Sequence, residues 1–168
     1  DDYLVGCVLT DGGYDVMLFS SEGKSVRFPE AEVRPMGRQA TGVRGMRLGE
    51  NQRVVCMLAA KDDTRSVLTA TANGYGKRTA IADYPRHGRG GQGVIAIQTT
   101  ERNGQLVAAT QVTTDDELML MSSSGVLVRT PAGEVSVLGR NTQGVRLMKL
   151  DEGERLIGVE PVDPEPPV

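Results

Sequence analysis

An arginine set among glycines and neutral polar residues recurs three times along this chain of 168 residues. The runs are GRQATG at 37–42, GRGGQG at 88–93 and GRNTQG at 139–144. Arginine offers a forked, permanently charged donor for phosphate, glycine lets the backbone approach a ligand closely, and amides and hydroxyls position nucleic-acid backbones. The runs indicate a repeated polyanion site. Turn-forming glycines and solvated surface arginines remain the structural alternative.

Other basic residues near these runs extend the possible contact surface. Some alternate with apolar residues, as in Val43–Leu48 and Val145–Leu150, a pattern that buries one face of a strand and leaves the other cationic. The candidate contacts are Arg34, Arg38, Arg44, Arg47, Lys77, Arg78, Arg86, Arg89, Arg129, Arg140, Arg146 and Lys149.

The charge is unevenly distributed, although the formal total of −3 argues against a nucleic-acid partner. Residues 1–15 hold four acids and no base, and residues 151–168 hold six acids and one arginine. Residues 16–150 therefore hold 18 basic and 12 acidic residues, a net charge of +6. The basic middle of the chain is compatible with a polyanion.

The repeated runs are part of a longer internal repeat with a step of 51 residues. Gly23, Gly74 and Gly125 keep this step, as do Arg27, Arg78 and Arg129, and also Met46, Ile97 and Met148. Each unit contains short apolar runs separated by glycine-containing turns, among which Asn73-Gly74 predicts a type I′ hairpin turn. Four short strands in about 50 residues is the size of a propeller blade.

We therefore predict an all-β, propeller-like fold of three four-stranded repeats. The approximate blades are 1–53, 54–105 and 106–160, and residues 161–168 form a Pro-rich acidic tail that we expect to be disordered. Cys7 and Cys56 lie in apolar runs and are predicted to be buried, reduced thiols, which fits a cytoplasmic protein. No apolar stretch approaches the roughly 18 residues of a membrane span.

Catalytic interpretations have little support in the sequence. The run at 88–93 lacks the Lys-Ser/Thr ending of a nucleotide-binding loop, and no helical pattern follows it. His87 is the only histidine, and it has no paired nucleophile. No metal or acid–base constellation emerges, so we expect neither a cofactor nor a catalytic residue.

The wording of the repeats resembles a known family. The runs DVMLFSSEGKSVRF, GRQATGVRGMRL, LTATANGYGKRTAIADYP and GRNTQGVRLMKL are similar to the C-terminal domain of the bacterial DNA gyrase A protein, over essentially the whole chain except its Pro-rich end. The resemblance implies a six-bladed β-pinwheel whose blades exchange strands and whose basic rim wraps DNA. It also implies that the catalytic tyrosine, metal site and ATPase lie elsewhere in a type IIA topoisomerase.

The family carries a basic heptapeptide, Gln-Arg-Arg-Gly-Gly-Lys-Gly, normally in its first blade. The nearest match here is a degenerate version: His87, Gly88, Arg89, Gly90, Gly91, Gln92 and Gly93. It keeps Arg89, Gly90, Gly91 and Gly93 and lacks the second arginine and the lysine. The resemblance therefore implies that these repeats are the last three blades, half of the domain.

Two classes of function follow from these observations. The leading hypothesis is a non-sequence-specific DNA-binding and bending module of gyrase, acting with double-stranded DNA, the remainder of the gyrase A protein and the gyrase B protein, and supporting ATP-dependent negative supercoiling. The alternatives are a protein-interaction propeller and the equivalent domain of topoisomerase IV. Three blades leave open edges, so self-association into a six-unit ring is a further possibility.

Overall fold

Short strands form where apolar runs are interrupted by glycine-containing turns. The computed structural model describes residues 2–162, and every pair of strands within it is antiparallel. The strands are β1 (Asp15–Ser20), β2 (Lys24–Pro29), β3 (Val54–Ala60), β4 (Ser66–Thr71), β5 (Tyr75–Ala80), β6 (Val94–Ile95), β7 (Leu106–Val112), β8 (Glu117–Ser122), β9 (Leu127–Pro131), β10 (Val145–Arg146) and β11 (Leu156–Val162). Short 3-10 helices follow β2, β5 and β9, at Glu30–Glu32, Ile81–Asp83 and Ala132–Glu134.

The hairpin turn at Asn73-Gly74 is of a different type from the one that the sequence predicts. The amide of Gly74 donates to the carbonyl of Thr71, and Gly74 has φ of 84°. Asn73 does not have positive φ, so the predicted type I′ turn is wrong. A type I turn closed by a left-handed glycine takes its place, and only the glycine needs a conformation that a side chain disfavours.

Strand exchange links the repeats. The first sheet has the order β3–β1–β2–β6, although β6 comes after the second hairpin in the chain. The second sheet has the order β7–β4–β5–β10, and β10 comes from the third repeat. The outer strand of each of these two sheets is therefore donated by the following repeat. We call the edges formed by β6 and β10 the outer edge, and the edges formed by β3, β7 and β11 the inner edge.

The third sheet differs from the predicted four-stranded blade. It has the order β11–β8–β9, with three strands among residues 2–162. The physical reason is the exchange itself, because a fourth strand has to come from a following repeat and the described chain contains none. Leu127 of β9 is 61% exposed, and residues 43–48, which correspond to the donated strands, form no strand. The sheets are also offset from the approximate sequence boundaries, since β3 belongs to the first sheet.

Two apolar clusters fill the space between consecutive sheets. Met17 and Phe19 of β1 pack against Ile81 and Tyr84, with the Phe19 and Tyr84 rings edge to face at 6.0 Å. The second cluster repeats this arrangement between the second and third sheets, where Ala132 and Val135 occupy the positions of Ile81 and Tyr84. The all-β, propeller-like fold predicted from the repeat is confirmed, because each hairpin buries one face against the next.

The predictions for the cysteines and the tail have different outcomes. Cys7 is exposed, contrary to the prediction, because the N-terminal segment runs outside the sheets. Cys56 is half-buried in β3, and burial raises the pKa of its thiol to about 11. The first two residues of the predicted tail, Pro161 and Val162, belong to β11, and residues 163–168 lie outside the described residues.

Candidate nucleic-acid interface

The recurring loop arginines tie each loop to the repeat before it. Arg140 donates through Nη1 to the carbonyl of Ile95 in β6 (2.8 Å) and through Nε to the carbonyl of Asp83 (2.7 Å). Arg89 donates through Nη1 to the carbonyl of Arg44 (2.8 Å), which holds the corresponding place one repeat earlier. The recurrence of this arginine therefore has a structural cause, and it lines the loops up along the outer edge.

Glycines ending these loops allow close packing on the sheets. A Cβ on Gly93 would lie 2.3 Å from the Ser25 carbonyl oxygen, and one on Gly144 would lie 2.4 Å from that of Gly76. Both glycines also have positive φ, 79° and 75°. Loops 88–93 and 139–144 are thus held against β2 and β5, and their positions are fixed by backbone contacts.

Two of the candidate contacts are internal. Lys77 is fully buried, and its ammonium group donates to the carbonyls of loop 139–144. Arg78 is 6% exposed and donates to the carbonyls of Val135 (2.8 Å) and Gly133 (3.3 Å). Both side chains donate their hydrogen bonds to protein oxygens. Lys77 and Arg78 are therefore internal supports and not the surface contacts that the sequence predicts.

Arg27 makes contacts equivalent to those of Arg78, one repeat earlier in the chain. Arg27 donates to the carbonyls of Ile81 (2.8 Å) and Tyr84 (3.2 Å), the residues that correspond to Ala132 and Val135. Arg27 and Arg78, which share one position of the repeat, therefore bind the 3-10 helix of the following repeat and hold consecutive sheets together. Arg129 has the same position in the third repeat and pairs with Glu117. The recurrence of this arginine every 51 residues is visible in the sequence. The sequence alone does not distinguish a role in holding the sheets together from binding at the surface.

Arg86 is exposed but neutralised. Its guanidinium binds the carboxylate of Asp15 (2.8 Å), which is 4% exposed and also pairs with Arg27 (2.8 Å). Arg27 pairs in addition with Asp63 (2.8 Å). Because two carboxylates balance two guanidinium groups here, Arg86 contributes little positive field to the outer edge.

Several candidate residues keep a free positive charge. Within residues 2–162, no hydrogen bond or ion pair involves the side chains of Arg34, Arg38, Arg44, Arg47 or Lys149. All five are exposed. Loop 88–93 lies beside two of them, since the amide of Arg47 donates to the Gly91 carbonyl (2.7 Å) and the amide of Gly90 to the Gly45 carbonyl (2.7 Å). Arg44 and Arg47 therefore form one cationic surface with this loop.

A second cationic surface surrounds Tyr75. The Arg102 guanidinium lies 4.2 Å from the centre of the Tyr75 ring, and Arg146 donates to the Tyr75 hydroxyl (3.0 Å), a bond that lowers the pKa of this phenol. Arg102 also donates to the Gly144 carbonyl (3.1 Å), and Lys149 lines the same cavity. Sequence reasoning missed Arg102 because it has no basic counterpart in the other repeats.

The degenerate heptapeptide lines a shallow cavity against β2. His87, Gly88, Gly91 and Gly93 border this cavity, and Gly90 and Gln92 lie between them in the loop. The backbone amide of His87 donates to the Arg27 carbonyl (3.0 Å), and that of Arg89 to the Glu32 carboxylate (2.9 Å). The loop therefore presents backbone and His87 beside Arg44 and Arg47, with Arg89 turned inward.

The described part of the chain gives no indication of other chemistry. Among residues 2–162, no group of three or more His, Cys, Asp or Glu side chains is placed to hold a metal ion. None of the helices described there is long and apolar enough to cross a membrane.

Known proteins share both the sequence and the architecture. A family model described as DNA gyrase C-terminal domain, beta-propeller, matches residues 14–60, 65–113 and 116–163. The DNA gyrase A protein of Pseudomonas aeruginosa is 55% identical over 96% of this chain, and that of Escherichia coli is 52% identical over 98%. This chain covers 17% and 19% of those proteins.

Solved structures agree on the fold. A DNA gyrase A C-terminal domain superposes with a TM-score of 0.82 at 31% identity, over 89% of this chain and 50% of that one. A topoisomerase IV C-terminal domain superposes at 0.87 with 24% identity, over 93% of this chain and 49% of that one, which shows a shared fold. The family match spans three consecutive repeats and most of the described chain. This chain belongs to the DNA gyrase C-terminal domain family of β-propellers.

Proposed function

We propose that this chain binds duplex DNA through its phosphates, without base-sequence preference, and bends it along the outer edge of the sheets. The observation that carries the proposal is the presence, within residues 2–162, of exposed cations without a carboxylate partner at matching positions of the first and third repeats. Arg44 and Arg47 of the first repeat correspond to Arg146 and Lys149 of the third, and all four are exposed near the outer edge. The second repeat has Ile95 and Gln98 at these positions, so the cations form two separate surfaces, each of which suits a phosphate backbone.

The arrangement of the sheets supports bending. In a propeller, the outer strands of consecutive sheets lie on a curved surface, so a straight duplex has to curve to meet successive cationic surfaces. The loop arginines and glycines hold these surfaces in fixed positions, which reduces the ordering cost of binding. Backbone contacts of this kind position a duplex and carry little base information.

We further propose that the chain acts within a DNA gyrase A protein, with the remainder of that protein and the gyrase B protein as partners, in the bacterial cytoplasm. Its high identity to gyrase A proteins over nearly the whole chain supports this assignment. In that setting, wrapped DNA would support ATP-dependent negative supercoiling. A full-length gyrase A protein carrying substitutions of the outer-edge cations is expected to supercoil more slowly than one carrying control substitutions.

The direct test compares two sets of charge-removing substitutions. The outer-edge variant carries Arg44→Gln, Arg47→Gln, Arg146→Gln and Lys149→Gln. The control carries Arg53→Gln and Arg155→Gln, which precede β3 and β11 at the inner edge. We expect the outer-edge variant to lose at least about tenfold in affinity for unrelated duplexes, and the control to lose much less.

Two results would contradict the proposal. One is an equal loss of affinity in both variants for each charge removed, and the other is a strong preference for one duplex sequence. A protein-interaction scaffold would instead give partner capture that survives nuclease treatment, with no gel shift on duplex DNA. These outcomes separate the two classes of function.

A further inference from the structure

Lys77 is a buried cation without a carboxylate. Its ammonium group donates to the carbonyls of Gly139 (2.6 Å), Arg140 and Thr142 (3.3 Å), and to the hydroxyl of Thr142 (2.9 Å). The residue is fully buried, and within residues 2–162 no acidic side chain pairs with it. Buried charges in proteins are normally paired with an opposite charge, whereas the charge of Lys77 is balanced only by the dipoles of these oxygens.

The lysine is not needed to dock a loop of this type. Val26 and Val128 occupy its position in the other two repeats. Loop 88–93 nevertheless packs on β2 beside Val26, with Gly93 against Ser25 just as Gly144 lies against Gly76. Backbone packing and the contacts of Arg89 hold loop 88–93 without a lysine, so Lys77 adds two things to loop 139–144: a positive charge beneath the loop and a set of hydrogen bonds to its carbonyls.

The surroundings of Lys77 are predominantly positive. Arg140 faces it from the loop, and Arg78 follows it in β5. Asp83 and Tyr84, from the end of the preceding 3-10 helix, lie beside Arg140, whose Nε binds the Asp83 carbonyl. On β10, Arg146 pairs with Tyr75 of β5. Burial, and then the charge of Arg140, lower the pKa of Lys77 to about 8.

We propose that Lys77 is the positioning residue of loop 139–144 for DNA, and that this loop holds a DNA phosphate only while the Lys77 side chain is an ammonium group. The proposal rests on the proposed function, since it assumes that duplex DNA is the polyanion. The phosphate supplies the missing negative charge, and the ammonium keeps the carbonyls of the loop turned inward. Arg140 stays bound to the Asp83 and Ile95 carbonyls, so loop 139–144 keeps a fixed position beside the duplex.

Two consequences follow from this linkage. A nearby phosphate favours the charged form of Lys77, so DNA binding raises its pKa and takes up a proton when the solution is near or above pH 8. Affinity therefore falls as the pH rises through about 8, by roughly tenfold for each pKa unit by which DNA shifts the lysine.

The test measures duplex affinity from about pH 6 to about pH 10 for the unaltered chain, Lys77→Met and Lys61→Met. Lys61 is exposed and pairs with Asp11, so its variant controls for the loss of one lysine charge. A mixed-sequence duplex is titrated by calorimetry in buffers of low and high ionisation enthalpy. A binding enthalpy that differs between the buffers reports proton uptake on binding. We expect a fall in affinity around pH 8 and proton uptake in the unaltered chain and in Lys61→Met, and neither in Lys77→Met.

A second measurement does not depend on the folding of Lys77→Met. The chain has four lysines, Lys24, Lys61, Lys77 and Lys149, so the Cε resonances can be assigned with single substitutions of the exposed ones. We expect one resonance to titrate near pH 8 and to move to higher pH with DNA. A Lys77 titration that DNA leaves unchanged, or identical pH profiles for Lys77→Met and the unaltered chain, would overturn the inference. Absence of DNA binding at every pH would instead contradict the proposed function.

Discussion

The two junctions between consecutive sheets have the same backbone plan but differ in charge: the first is neutralised and the second is positive. At the first junction, Arg27 and Arg86 are neutralised by Asp15 and Asp63. At the second, Arg78 occupies the place of Arg27, but Ser66 and Thr114 stand where the first has its two aspartates. Thr114 still accepts a hydrogen bond from Arg78 (3.3 Å), without a negative charge.

The difference shows that bracing the sheets does not require carboxylates. Carbonyl and hydroxyl oxygens satisfy the donors of Arg78 and Lys77, and no carboxylate of the described chain neutralises their positive charges. The charges of the first junction are balanced by carboxylates, whereas Lys77 and Arg78 at the second have no carboxylate partner among the described residues. We therefore expect the second junction to respond most strongly to DNA, salt and pH.

Removal of Arg27 or Arg78 should give the largest difference in stability between the two junctions. Arg78→Ala leaves buried carbonyls without donors and should lower the free energy of unfolding by about 3 kcal/mol. Arg27→Ala should cost less, about 2 kcal/mol, because Asp15 keeps its ion pair with Arg86. Chemical denaturation measures both, with Arg155→Ala as an exposed control within about 0.5 kcal/mol. A larger loss for Arg27→Ala would reverse the comparison.

The pH dependence of stability should come from the second junction. Below about pH 8 Lys77 is charged in both the folded and unfolded chain, and its burial costs stability. Between about 8 and 10.5 the unfolded chain binds the proton and the folded chain does not, so stability rises with pH, by up to about 3 kcal/mol. Denaturation across this range should show the rise in the unaltered chain and its loss in Lys77→Met. A matching rise in both would assign the effect to other groups.

Loop docking should be equally sensitive to glycine substitution at the two junctions. Gly93→Ala and Gly144→Ala meet a carbonyl oxygen and a left-handed φ, so each should cost about 2 kcal/mol. Gly42 has φ of 83° and nothing within 4 Å, so Gly42→Ala should cost only about 1 kcal/mol. Thermal unfolding of the three variants measures the difference. Equal costs at all three sites would show that loops 88–93 and 139–144 are not held by close packing.

Charge balance can be exchanged between the junctions by small substitutions. Thr114→Asp places a carboxylate beside Arg78 and should weaken DNA binding by about threefold at low salt, while Asp63→Thr should strengthen it by a similar factor. Both effects should shrink as salt is added. The measurement is duplex affinity at two salt concentrations. Changes in affinity of the opposite sign, or no change in either variant, would show that the charge at the junctions does not influence DNA binding.

Much of the fold could be predicted from the sequence because the repeat is periodic. Gly23, Gly74 and Gly125 marked the hairpins, and the apolar positions of Tyr84 and Val135 marked the core. The three-stranded last sheet was missed, since strand exchange moves pairing partners into another repeat. Lys77 and Arg78 were assigned to the surface because burial of a cation depends on carbonyls about 60 residues away, which periodicity does not reveal.

The salt dependence of duplex binding tests the central claim most directly. Each phosphate neutralised contributes about −0.9 to the slope of log affinity against log salt concentration. Removal of Arg44, Arg47, Arg146 and Lys149 should therefore make the slope shallower by up to about 3.6, while removal of Arg53 and Arg155 should leave it nearly unchanged. Equal slopes for the unaltered chain and the outer-edge variant would contradict phosphate binding along the outer edge.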